Sequence, residues 1–464
     1  MGFIEDLRLV DGPVVWIAWV AGVSGLAYLI WNTAFRNTAF RHAAFRNMAP
    51  RRTPGRATVV AAAVALLAAA LVAAVHWFLI YAISVFPAEL PWEILVWSVP
   101  AVGALLLWLL RLLGLRGRGQ NFLEPVRHSA SATAAFLAVL VLSAVQINIY
   151  FGLNHTVSDL TGTAVARIQP LEAGLTRAAG GPPATGLARW NEQWNAPADL
   201  PRGVIRKAMI PGTLSGFRSR DAYVYLPPAY QSARRPALPV LVLFSGQPGG
   251  PADWLVGGAL RSRLDRFAAE HSGVAPVAVV VDPNGSSSAN TLCMDSRIAL
   301  ADTFLARDVP DWINRTFDVD PDPRRWAAGG FSFGGTCAMQ MVTRHPEVYG
   351  AALAFSSEKE PALAKEREKT IQASFGGDSK AFDPLTPLSR MAESRFDGHG
   401  VYFAAGDHDP EFTGYMDLLS GAARKAGFTV ETRRITNAGH SWDTAAAGLP
   451  GGLDFLARRW GIRP

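Results

Sequence analysis

Only two cysteines, Cys293 and Cys337, occur in the 464 residues, which excludes a disulfide-dense scaffold and a cysteine-rich metal site. No H-E-x-x-H or C-x-x-C motif accompanies them, so a zinc hydrolase and a cysteine nucleophile lack support. Residues 1–151 contain no lysine; they carry 11 arginines against 6 acidic residues, a balance of +5. The remainder is nearly neutral, with 33 basic and 32 acidic residues. The positive excess therefore belongs to the apolar part of the chain, where it reads as membrane topology and not as a polyanion surface. Nucleic-acid binding loses its only support. Half of the residues are hydrophobic and mean hydropathy is +0.15, which indicates a membrane portion and argues against a wholly cytosolic protein.

Four stretches, 13–31, 58–83, 93–113 and 129–151, are long and apolar enough to cross a hydrocarbon layer of ~30 Å. Arg36, Arg41, Arg46, Arg51, Arg52 and Arg56 lie between the first two, and Arg111, Arg116, Arg118 and Arg127 between the last two. The connection from Phe86 to Glu93 has no basic residue. The positive-inside rule then puts both arginine-rich loops in the cytoplasm and everything after Phe151 outside. The first span is followed by three more and ends on no clear cleavage site, so it reads as an anchor and not as a signal peptide. A five-residue repeat starting at Thr33 fits neither helix nor strand and reads as a topogenic linker. His76 is the one titratable side chain expected well inside the membrane; without carboxylates beside it, anchoring is favoured over transport. The expected division is a four-helix transmembrane anchor over 1–151, a juxtamembrane linker over 152–200, with Gly180-Gly181-Pro182-Pro183 at its centre, and an extracytoplasmic domain over 201–464.

In that last part, short β-branched or apolar runs alternate with helix-length stretches: 204–210, 222–226, 240–244, 277–281, 326–328, 351–355, 401–404 and 430–435. Alternation of this kind predicts an α/β sheet covered by helices on both faces, with an antiparallel start. Gly330-Phe331-Ser332-Phe333-Gly334 matches G-x-S-x-G between a predicted strand and a predicted helix, where small residues permit the sharp turn that exposes a serine hydroxyl. Ser332 is the candidate nucleophile. A serine needs a base and an orienting acid, which in this fold follow it along the chain. Asp409, in the loop after the run 401–404, is the favoured acid and Asp407 the alternative. His440, in Asn437-Ala438-Gly439-His440-Ser441-Trp442, is the candidate base, while His408 reads as a solvated loop residue.

A tetrahedral intermediate also needs preorganised N–H donors, worth about 3 to 4 kcal/mol each. The backbone N–H of Phe333 is one candidate; Gln247, in Ser245-Gly246-Gln247-Pro248-Gly249-Gly250, is the other, because Pro248 has no N–H. Cys337 falls on the helix after Ser332 and Cys293 in a loop leaving a neighbouring strand. As a disulfide they would close a 44-residue interval, worth roughly 4 kcal/mol on a chain-entropy basis. Two buried thiols are the alternative.

The segments Tyr223-Val224-Tyr225-Leu226-Pro227-Pro228, Gly330 to Gly335 and Phe375-Gly376-Gly377-Asp378, with the late Asp409 and His440, resemble the bacterial esterase family of α/β-hydrolases. That family includes S-formylglutathione hydrolases, siderophore esterases and mycolyltransferases. The resemblance spans about 204–460 and implies an α/β-hydrolase domain behind the transmembrane helices, with Ser332, Asp409 and His440 catalytic. Two departures stand out: Ser245-Gly246 replaces the usual His-Gly, and the acid is Asp409 where mycolyltransferases use Glu. The four-span anchor is similar to that of uncharacterised actinobacterial membrane esterases. The expected activity is hydrolysis of an ester of a lipid or cell-envelope component through an acyl-enzyme. Acyl transfer of the mycolyltransferase type is the alternative, and a non-catalytic envelope-binding module the reading from a different class. No metal or organic cofactor is expected.

Overall fold

The computed structural model describes residues 2–36, 54–115, 123–177, 185–186, 201–232 and 235–463. The arginine-rich segments around Arg41 to Arg52 and Arg116 to Arg118, and Gly180 to Pro183, lie outside the described residues. The chain forms two compact units, 1–160 and 161–464.

The first unit is built on four helices, α1 (Pro13–Arg36), α2 (Pro54–Trp77), α3 (Trp92–Leu115) and α4 (Leu123–Phe151). All four are long and apolar enough to cross a membrane. Leu29, Val60, Leu107 and Val139 lie in their buried seam beside Ala34, Ala104, Ala132 and Ala135, whose small side chains let helices approach closely. Polar ties between the helices include Tyr28 with Ser131 (2.7 Å) and Trp108 Nε1 to Thr133 (3.0 Å). The outer faces carry exposed Trp16, Leu66 and Leu113, a surface suited to lipid and costly in water. His76 does not stand alone as expected from its span. Its Nε2 lies 3.0 Å from Glu89, which also accepts a hydrogen bond from Tyr81, so the connection after α2 folds back to supply the missing carboxylate.

The second unit is an eight-stranded sheet: β1 (Val204–Ala208), β2 (Ala222–Leu226), β3 (Val240–Phe244), β4 (Val277–Val281), β5 (Trp326–Phe331), β6 (Ala351–Phe355), β7 (Gly400–Gly406) and β8 (Thr429–Ile435). Their spatial order is β1-β2-β4-β3-β5-β6-β7-β8, with β2 antiparallel to both neighbours and the remaining pairs parallel. Strands β3 and β4 are buried on both faces, which is why they read as unbroken apolar runs without alternation. Helices α5 (Leu260–Glu270) and α9 (Trp442–Trp460) pack together on the sheet; α6 (Phe333–Arg344), α7 (Pro387–Glu393) and α8 (Pro410–Lys425) form a second packed group. This is the α/β-hydrolase arrangement.

The segment expected to be a linker divides between the units. Leu171 N donates to Lys207 O (2.9 Å) and Lys207 N to Gln169 O (3.0 Å), while Arg177 N reaches Thr316 O (2.7 Å). Residues 169–171 thus cover the outer edge of β1, whose backbone groups would otherwise be unpaired. Composition alone marks the stretch as irregular and hides this pairing.

Candidate active site

Every candidate side chain leaves the sheet at the carboxyl ends of its parallel strands, the edge where open α/β sheets place their ligands. Ser332 follows β5 directly and stands at φ +56°, ψ −122°, a region costly for any residue with a side chain. The backbone is held there by Ser332 N donating to Phe355 O (2.8 Å). The turn closes so tightly that a Cβ on Gly330 would lie 2.1 Å from Gly334 O, and one on Gly334 2.2 Å from Phe244 O. Only glycine fits at either position, and the turn leaves Ser332 partly exposed.

Asp409 caps α8, where it accepts from Phe412 N, and is almost fully buried. Its Oδ2 lies 3.0 Å from His440 Nδ1, and His440 Nε2 lies 2.8 Å from Ser332 Oγ. A carboxylate can only accept, so Nδ1–H donates to Asp409 and Nε2 is left to accept the serine proton. The histidine loop reaches this position because β7 ends at Gly406, where a Cβ would meet Ala438 O at 2.2 Å. Phe412 and Phe331 flank the imidazole, with ring centroids 4.0 Å and 5.1 Å away. Asp407 points elsewhere, 3.9 Å from the exposed His408.

The loop Ser245 to Gly250 passes beside the serine: a Cβ on Gly246 would lie 3.7 Å from Ser332 Cβ. Among the described residues, neither Phe333 N nor Gln247 N donates to a backbone carbonyl in the turns and loops. Cys293 and Cys337 form a disulfide with Cα atoms 5.6 Å apart, joining the loop after β4 to α6. Among the described residues no group of three or more His, Cys, Asp or Glu side chains could hold a metal ion.

Two groups at this edge escape a sequence reading. Arg220 donates to both oxygens of the fully buried Asp282 (2.8 and 2.9 Å) and to Gly249 O (2.9 Å), tying the end of β4 to the loop beside Ser332. Glu358, just after β6, accepts from Thr336 Oγ1 (3.2 Å), one turn beyond Ser332 on α6. Burial pushes its carboxyl up to about 8, with Glu411 adding repulsion and the threonine hydroxyl opposing the shift. The folded chain therefore keeps a proton that the unfolded chain releases near pH 4.5, and stability falls as pH rises from about 5 to 8. Glu358→Gln removes that part of the slope. Thermal unfolding of the full-length protein at pH 5 and pH 8 measures it; an unaltered difference in Tm between the two pH values contradicts the assignment.

The Esterase family model matches residues 217–453, just over half of the chain. An uncharacterised protein of Corynebacterium glutamicum is 36% identical over 288 residues, covering 60% of this chain and 67% of its own length. Among solved structures, a ferulic acid esterase has 19% identity and a TM-score of 0.48, covering 56% of this chain and 99% of its own. An S-formylglutathione hydrolase from Agrobacterium tumefaciens has 20% identity and a TM-score of 0.47, covering 56% of this chain and 96% of its own. The family match takes in the strained serine turn, His440 bonded to the serine, Asp409 bonded to that histidine, and seven of the eight strands: the chain belongs to the esterase family of α/β-hydrolases.

Proposed function

We propose that this protein is a membrane-anchored serine esterase that hydrolyses an ester of a lipid or cell-envelope component on the outer side of the membrane. The observation that carries the reading is the continuous hydrogen-bonded path from Ser332 Oγ through His440 to Asp409. Ser332 Oγ attacks the ester carbonyl carbon while His440 Nε2 takes its proton, and Asp409 holds the resulting imidazolium in orientation. The carbonyl oxygen, now negative, is stabilised by the N–H groups of Phe333 and Gln247. Collapse expels the alcohol, which leaves with the proton from His440. Water, activated by the same nitrogen, then attacks the acyl-enzyme and releases the acid. The outward placement rests on the arginine-rich connections, and the choice of a lipid or envelope ester on the four apolar helices that keep the domain at the membrane.

A fluorophosphonate probe tests the chemistry on the full-length protein in detergent. Label that maps to Ser332 and disappears in Ser332→Ala is the expected result; label retained in that variant contradicts the reading. Mass spectrometry of products, with water and an alcohol acceptor in competition, is expected to find the free acid. A transesterified product as the main species assigns the site to acyl transfer instead.

A further inference from the structure

The Cys293–Cys337 disulfide lies at the far end of a loop whose other end touches the candidate oxyanion segment. That loop, 282–300, leaves β4 with Asp282 accepting from Asn284 N and Gly285 N, both at 3.0 Å. Its two sides are then drawn together: Asn284 Oδ1 accepts from Thr291 N (3.0 Å) and Thr291 Oγ1 donates to Pro283 O (2.8 Å). The returning side is fastened to α6 in three ways. Gln340 Nε2 donates to Leu292 O (2.8 Å), Arg344 Nη2 to Cys293 O (2.6 Å), and the disulfide joins Cys293 to Cys337. Leu292 and Cys293 both have positive φ, +61° and +52°, although neither is glycine. Two adjacent residues held so unfavourably require surroundings that impose the conformation.

The tip of the loop faces the other way. Ser287 O accepts from Gly249 N (2.9 Å) and Ser288 O accepts from the side chain of Gln247 (3.1 Å). Arg220 closes the circuit by donating to Gly249 O and to Asp282. One covalently fastened loop therefore spans from the helix that carries the nucleophile to the segment that carries Gln247.

We infer that the disulfide-fastened loop 282–300 is a strut that holds the Gln247 N–H at a fixed distance from Ser332, with Cys293, Cys337 and Gln340 as positioning residues for the oxyanion site. The inference rests on the esterase reading above. A donor must already be in place when charge develops on the substrate oxygen, since a donor that has to move into position loses most of its benefit. A displacement of about 1 Å is enough to reduce a rate by about a hundredfold. The strut acts on the transition state and not on substrate affinity, so its loss lowers kcat and leaves KM in place.

The test uses the full-length protein in detergent and a p-nitrophenyl ester. Cys293→Ala/Cys337→Ala is expected to lower kcat by roughly ten- to a hundredfold, with KM within about twofold and an unchanged pH midpoint, because His440 and Asp409 are untouched. Gln247→Ala keeps its own N–H but loses the tie to Ser288, and is expected to lower kcat in the same way. Combining it with the cysteine pair is expected to cost little more than either alone, since both release the same segment. Losses that multiply, a shifted pH midpoint, or an unchanged kcat overturn the inference. Gln340→Leu keeps the disulfide and removes one fastening, so it serves if the alanine pair does not fold. Its expected effect is a smaller drop in kcat at constant KM, and parental kcat overturns the inference. Full activity in Ser332→Ala would instead refute the esterase reading, which keeps the two failures apart.

Discussion

Ser332→Ala lowers kcat on an ester by about a millionfold, and His440→Ala costs a similar amount. The two substitutions together cost no more than either alone. In the proposed mechanism the serine attacks only as its proton moves to Nε2, 2.8 Å away, so removing either member removes the whole nucleophile. The residual rate reflects binding and the oxyanion donors, which both variants keep. Steady-state kinetics on the four proteins check this. Losses that add in the double variant would indicate two independent contributions and break the proposed coupling. So would a His440→Ala variant within about tenfold of the parent.

Asp409→Asn lowers kcat by about ten thousandfold with little change in KM. An amide nitrogen facing His440 Nδ1 would present N–H to N–H, so the imidazole shifts, without rotating, to the tautomer that carries its proton on Nε2 and accepts the amide N–H at Nδ1. In that state the base cannot accept from Ser332. Asp409 is nearly fully buried and also caps α8 through Phe412 N, a bond that the asparagine oxygen can keep; the fold is therefore retained while the chemistry is lost. The matching Asp407→Asn, at a residue paired with the exposed His408, leaves kcat within about twofold. If Asp407→Asn causes the large loss and Asp409→Asn the small one, the acid has been misassigned.

Much of this was readable before any coordinates because local chemistry dictates it. Strands β3 and β4 are continuous apolar runs without alternation, and it is their shortness, five residues each, their valine content and the loop residues bounding them that mark them as strands and not helix. The serine turn is legible because glycine is the only residue that fits at 330 and 334. Chain order then singles out Asp409 and His440 without any distance being known. The contacts that sequence hides join residues far apart in the chain. Glu358 meets Thr336 only because β6 lies beside β5, and Arg220 finds Asp282 only through the antiparallel pairing of β2 with β4. His76 gains its carboxylate from a connection with no periodic pattern to foretell a fold-back. Residues 169–171 are hidden for the same reason: an edge partner is recruited by open backbone groups and leaves little trace in side-chain type.

The aromatic pair around His440 has a kinetic consequence. With Phe412 at 4.0 Å and Phe331 at 5.1 Å, the imidazole occupies a slot and has little room to turn end over end. On the proposed mechanism one nitrogen then shuttles the proton in both half-reactions, and replacing Phe412 by a small residue would unlock a second, idle ring pose that competes with the productive one.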